Sequence, residues 1–227
     1  MLKIFKIIIF FSIIILSFPV NAHIKHYENL NLVEFEIYRN DKLIGKHVFS
    51  FNKVDDKLYV ESEINFEIKK LGVVLYNYNV KGTEVYKNGE LVKFNSKTSQ
   101  NGKKKHVNLK LEDNEYLIDG SSYTGKAPKN YTLGTWWNHS IVESVAQISA
   151  VSGRIIKQKV TFLGKETIII NDKTYNTLHF NFSSTDKKLK EGKKLNTDVW
   201  YDEKTLNWVK ASFKKKGNWL YKLVRME

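Results

Sequence analysis

From Leu32 onward the chain alternates apolar and polar residues with a period of two. Val33, Phe35 and Ile37 fall on one face, with Glu34, Glu36 and Tyr38 on the other. His47, Phe49 and Phe51 repeat the pattern. Val60, Ser62, Ile64, Phe66 and Ile68 then alternate with Glu61, Glu63, Asn65, Glu67 and Lys69. Such alternation is the mark of half-buried β-strands, because successive side chains of a strand point to opposite faces. The runs are cut by turn signals at Asn40-Asp41, Asp55-Asp56, Asn88-Gly89, Asn101-Gly102, Asp113-Asn114, Asn171-Asp172 and Gly217-Asn218. Asn-Gly suits a two-residue hairpin, whose central residues both need positive φ. The pattern predicts an all-β fold: a large antiparallel meander of about 10–12 strands. Its last hairpin joins a strand near Trp208–Lys214 to one near Trp219–Arg225.

One segment departs from the alternation. Ile141, Val145 and Ile148 share a helical face, Asn138 is a suitable N-cap and Gly153 a suitable C-terminal stop. These predict a short helix over about 138–151, preceded by the bulky pair Trp136-Trp137. A sheet of ten or more strands twists and curls. The expected architecture is therefore a half-barrel or barrel around an apolar space, with the helix as plug or lid.

Residues 1–22 have a different character. Lys3 and Lys6 precede an apolar run from Ile7 to Phe18, and Pro19-Val20-Asn21-Ala22 follows. A basic start, an apolar stretch and a small-x-small ending make a secretory signal peptide. The run is shorter than the roughly 20 apolar residues of a membrane-spanning helix. A signal helix cleaved after Ala22 is expected, leaving residues 23–227 as a single β-rich domain exported to the periplasm of a Gram-negative cell as a monomer. The chain has no cysteine, which excludes disulfides, thiol catalysis and cysteine metal sites. Stability then rests on the core, for which 13 Phe, 12 Tyr and 5 Trp are available.

The formal net charge is +13. Much of it lies in basic runs at hairpin tips: Lys103-Lys104-Lys105, Lys187-Lys188 with Lys190, Lys193 and Lys194, and Lys214-Lys215-Lys216. If these tips project from one rim they form a cationic collar suited to an anionic membrane surface. Export argues against nucleic acid as a partner.

Several local phrases follow one another along nearly all of residues 23–227. They are Ile44-Gly45-Lys46-His47, Glu84 with Asn88-Gly89-Glu90-Leu91, Ser96-Lys97-Thr98 with Asn101-Gly102, Trp137-Asn138, Gly153 and Trp200-Tyr201-Asp202. In this order they resemble the exported bacterial proteins grouped as domain of unknown function family 6134, and more distantly family 3108. The resemblance implies an exported β-rich domain, similar in shape to the curled half-barrels of periplasmic lipoprotein carriers. It brings no activity and no catalytic residues, since fold does not transfer function.

The residues that carry chemistry are few. No zinc-protease, calcium-loop, phosphate-loop or nucleophile-elbow spacing occurs, so no metal, cofactor or catalytic set is expected. The candidate ligand-binding residues are His47 and Phe49 on the inward strand face, Glu84 and Thr98 in strand-like runs, Trp136 and Trp137 ahead of the helix, and His179 and Trp200. The favoured reading is a non-enzymatic binder of an apolar or lipid-like small molecule. One rival is an envelope interaction protein with a filled core. Another is an enzyme acting on envelope glycans or lipids, which requires two or more of His47, Glu84, Thr98, His179 and Asp202 to share one cleft.

Overall fold

The alternation of Val33, Phe35 and Ile37 becomes strand β1 (Leu32–Arg39), with all three residues buried against the inner face of a curled sheet. The computed structural model describes residues 26–227, so the segment read as a signal peptide, with its cleavage point, lies outside the described residues. Seven further strands follow as successive hairpins: β2 (Lys42–Val54), β3 (Lys57–Lys70), β4 (Val73–Lys87), β5 (Glu90–Gln100), β6 (Lys103–Glu112), β7 (Glu115–Gly120) and β8 (Tyr123–Pro128). The second half contributes β9 (Thr132–Leu133), β10 (Ala146–Ile148), β11 (Ile155–Ile170), β12 (Lys173–Ser184), β13 (Asn196–Asp202), β14 (Trp208–Lys214) and β15 (Asn218–Met226).

The strands form one 15-stranded sheet, running from β8 back to β1, then β15 and down to β9. The β1–β15 pairing, Val33 opposite Met226 through Arg39 opposite Trp219, joins the two halves of the chain. Every neighbouring pair is antiparallel except β9 and β10. The edge strands β8 and β9 do not pair, although only residues 129–131 separate them. The sheet is thus a half-barrel with an open seam. The strand count exceeds the expected 10–12 because short strands such as β9 and β10 carry too few residues to leave an alternation in the sequence.

Turn chemistry explains the hairpins. Asn40-Asp41, Asn88-Gly89, Asn101-Gly102, Asp113-Asn114 and Asn171-Asp172 all have positive φ at both positions, the requirement of the tight turn that matches strand twist. Because the strands alternate in direction, every second turn lies at the same end. One end, the mouth, collects the turns after β1, β3, β5, β7 and β14 together with the connections at 149–154 and 185–195. The opposite end, the base, collects the other turns.

Residues 138–151 do not form the expected helix. A 3-10 turn covers His139–Glu143, with the Asn138 side chain accepting from the Ser140 N–H, and Ser144 is already extended. Ala146–Ile148 then pair with β11 as β10. The helical spacing of Ile141, Val145 and Ile148 loses to sheet pairing: Val145 is exposed, and its carbonyl accepts from the Gln158 N–H at 2.9 Å. The segment still fills the interior. Gln147 donates to Gln158 at 2.5 Å, and Gln158 donates to the Ile141 and Ser144 carbonyls. Among the described residues no helix is long and apolar enough to cross a membrane.

Candidate functional site

Trp136 and Trp137 are not strand neighbours pointing to opposite faces. The Trp137 N–H donates to the Thr135 carbonyl at 2.8 Å, and Trp136 sits at φ 61. This is a γ-turn of positive φ, rare for a bulky residue and costing on the order of 1–3 kcal/mol. It sends both indoles inward but apart. Trp137 goes toward the base, edge-on to Tyr27, Phe51 and Tyr86, and its Nε1–H donates to Glu84 at 2.9 Å. Trp136 goes toward the mouth, edge-on to Trp208 and Tyr221.

On the mouth side lies an inner cavity of about 160 Å³ whose lining includes His47, Ser62, Phe94, Trp136 and Tyr221. His47 is buried, its Nε2 is 3.0 Å from the Ser62 hydroxyl, and Nδ1 has no hydrogen-bond partner among the described residues. Burial pushes the imidazole down to about 3, so it is neutral at physiological pH.

Outside this cavity, and sharing Ile64, Ser149, Val151 and Tyr221 with it, opens a recess of about 820 Å³. Its walls are aromatic. Phe66 of β3 stacks on Tyr78 of β4 at 4.8 Å, and Phe213 of β14 stacks on Trp219 of β15 at 5.6 Å. The two walls meet where Phe66 touches Trp219 edge-on at 5.3 Å, although β2 and β1 lie between their strands. Gly45 permits this approach: a Cβ there would stand 2.1 Å from the Asn65 carbonyl oxygen and 2.4 Å from Phe66 Cβ.

The rim of the recess is cationic, with Arg39, Lys105, Arg154, Lys193, Lys215 and Lys216, and no carboxylate occurs among its described lining residues. Lys215 stands among these cations, and its pKa is lowered by desolvation and then by repulsion from Arg154, Lys105 and Lys216. The guanidinium of Arg39 donates to the Lys216 carbonyl, and that of Arg154 to the Lys193 carbonyl at 3.3 Å. Backbone acceptors thus orient the arginines without neutralising them.

The other candidates lie elsewhere. Phe49 is core, 4.1 Å from the His47 ring. Thr98 is buried one strand beyond Val80, with its hydroxyl unpaired among the described residues. Glu84 is fully buried toward the base, accepting from Tyr86 at 2.6 Å as well as from Trp137, and burial raises it to about 7. His179 and Trp200 face away from the interior. Their rings stack at 4.0 Å, His179 Nδ1 is 3.1 Å from Glu166, the Trp200 indole N–H donates to Glu166, and Lys210 lies over the Trp200 ring. Asp202 holds its own turn, accepting from Lys204 and Thr205. The recess thus takes in none of the eight candidates, although His47 and Trp136 border the cavity behind it. Its aromatic walls were missed because they come from strands distant in sequence.

The geometry sits within a recognisable family. Residues 35–224 match the domain of unknown function DUF6134. The chain belongs to the DUF6134 family. Among solved structures, the DUF6134 chain is similar to a β-barrel-like protein of domain of unknown function DUF1849 from Brucella abortus, at 10% identity and a TM-score of 0.61, over 87% of this chain and 97% of that one. It also aligns with a Bacteroides fragilis protein of YmcC-like fold at 10% identity and a TM-score of 0.37, over 86% and 94% of the two chains. No curated protein matches. At such identities the DUF1849 likeness speaks for the half-barrel fold of this DUF6134 member and not for a ligand.

Proposed function

We propose that this protein is a non-enzymatic periplasmic binder of an apolar or lipid-like small molecule. The ligand enters at the mouth, lies between the Phe66–Tyr78 and Phe213–Trp219 walls, and reaches toward the cavity of His47 and Trp136. The observation that carries this reading is the aromatic recess of about 820 Å³, within the range of ligand pockets. The unpaired, buried Nδ1 of His47 behind it is a polar anchor for a ligand group. Hydrolysis of an envelope glycan or lipid would need acid–base residues in one cleft. Here Glu84 is engaged by Tyr86 and Trp137, His47 by Ser62, and His179 by Glu166 on the other face of the sheet.

The test is native mass spectrometry and solvent extraction of the purified chain, followed by titration with the neutral apolar fluorophore N-phenyl-1-naphthylamine. A co-purifying amphiphile, and saturable fluorescence that falls at least fivefold in affinity in the Tyr78→Ala/Phe213→Ala variant, are expected. An empty protein that leaves the fluorophore dark would favour the filled-core interaction protein instead.

A further inference from the structure

The hairpin of β3 and β4 is built unlike its neighbours. Pairing of β2 with β3 ends at Gly45 opposite Phe66, and pairing of β4 with β5 ends at Tyr78 opposite Gln100. Beyond them no strand pairs with the hairpin tip, Asn101 of the β5–β6 turn bonding Asn77 and the Leu75 carbonyl, and Leu71 stands roughly 16 Å past the last β2–β3 pair at about 3.3 Å per residue. That tip is apolar: Leu71 is 95% exposed, Val73 61% and Leu75 55%.

The turn itself is also unusual. Leu71 and Gly72 have φ values of 51 and 80, the same positive-φ pair that elsewhere begins with Asn40, Asn88, Asn101, Asp113 or Asn171. Asn and Asp tolerate that conformation, and a leucine does not favour it. At position 71 the chain therefore gives up both local conformational preference and solubility to hold a large apolar side chain at the exposed tip of this hairpin.

Charge supplies the partner. The tip is flanked by Lys69 and Lys70, and the basic runs 103–105, 187–194 and 214–216 all lie at this same end. The base is of mixed sign: Asp55-Asp56, Glu112-Asp113 and Asp202-Glu203 stand beside Lys57, Lys87, Lys110, Lys173 and Lys204, with Lys87 paired to Asp56 and Lys110 to Glu112. We infer that the Leu71–Leu75 tip inserts into an anionic bilayer surface while the lysines of the mouth end meet the headgroups, so that the mouth opens onto the membrane. An apolar element entering the headgroup–acyl boundary beside a cluster of cations is the arrangement that interfacial binding requires. The inference does not depend on what occupies the recess, because the tip lies beyond it.

The chain has no cysteine, so a single engineered thiol reports on one position. The whole sheet lies within residues 32–226, and the chain from His23 is used to keep the apolar leader off the vesicles. Leu71→Cys and, at the base, Asp113→Cys carry an environment-sensitive nitrobenzoxadiazole label. With vesicles of 30% phosphatidylglycerol in phosphatidylcholine, the label at 71 brightens and shifts to the blue while that at 113 stays aqueous. Pure phosphatidylcholine binds at least tenfold more weakly, and added salt weakens the anionic case. Leu71→Asn, which suits the turn and keeps or raises the melting temperature, lowers partitioning at least tenfold and leaves N-phenyl-1-naphthylamine binding unchanged. Three outcomes overturn the inference: a label at 71 that stays aqueous on bound protein, equal partitioning of Leu71→Asn, or a tip that is covered by a second copy in sedimentation.

Discussion

Two buried titratable groups of this half-barrel oppose one another in their effect on stability, and removing either one exposes the other. Burial raises Glu84 from an ordinary 4.5 to about 7 and lowers His47 from 6.5 to about 3. Glu84 therefore holds a proton in the folded state that the unfolded chain releases above about pH 4.5. The stabilisation this gives is complete below 4.5 and is lost as pH rises to about 7. For His47 the unfolded chain takes up the proton, so stability is complete above about 6.5 and is lost as pH falls toward 3. Integrating each linkage from about pH 4.5 to 6.5 gives about 2 kcal/mol for each group, with opposite signs, so the pair nearly cancels.

Replacing one group breaks the balance. In Glu84→Gln the amide oxygen still accepts from Trp137 and the amide N–H donates to the Tyr86 oxygen. Its stability relative to wild type should rise by about 2 kcal/mol between pH 4.5 and 6.5. His47→Gln keeps a partner for Ser62, and its relative stability should fall by the same amount over the same range. The double variant should parallel wild type. Urea melts at four pH values, read as the difference from wild type, cancel the exposed carboxylates and lysines common to all four chains. Single-variant curves that run parallel to wild type would show that these groups are not held out of water as the structure places them, and the reasoning would fail.

Two further perturbations test the packing around the site. Gly45→Ala places a Cβ against the Asn65 carbonyl and Phe66. It should cost about 2–3 kcal/mol in chemical denaturation and separate the Phe66–Trp219 contact, seen as a change in near-UV circular dichroism. Trp137→Phe keeps the packing against Tyr27 and Phe51 but removes the indole donor to Glu84. A loss of about 1–3 kcal/mol is expected at pH 8 and a smaller one at pH 5, where the carboxyl is protonated.

The sequence announces the sheet more clearly than the site. Period-two alternation placed Phe35, Phe49, Val60 and Phe66 inside, and all four are buried. The turn residues marked the hairpins, because a positive-φ pair has a local chemical requirement. The gathering of the basic runs at one end is not legible by counting: 103–105 follows the odd strand β5, whereas 187–194 and 214–216 follow the even strands β12 and β14, and they share an end only because β15 pairs antiparallel with β1. What local pattern could not carry is contact across the β1–β15 junction, which brings Phe66 and Tyr78 to Phe213, Trp219 and Tyr221. Residues 138–151 misled for the complementary reason. Their apolar spacing satisfies a helix, but the Gln158 side chain and backbone claim the carbonyls that a helix would use internally.

The depth of the mouth follows from polar contacts more than from packing. An apolar segment laid across an apolar concavity has many placements of similar energy, since hydrophobic burial is non-directional. The inserted strand and turns are instead fixed where they meet buried hydrogen-bonding groups: Glu84 on the Trp137 indole, the Tyr27 and Tyr201 hydroxyls on the Trp137 and Trp136 carbonyls, and Gln158 on Gln147. Each would leave an unsatisfied partner if the segment slid by one residue, at a cost of about 1–3 kcal/mol apiece. These contacts hold Trp137 toward the base and leave Trp136 as the inner boundary of the space beside His47. An ionisable carboxyl in the core thus has a purpose that a leucine at position 84 could not serve. It sets how far the plug reaches, and so how much room remains between the plug and the cationic rim.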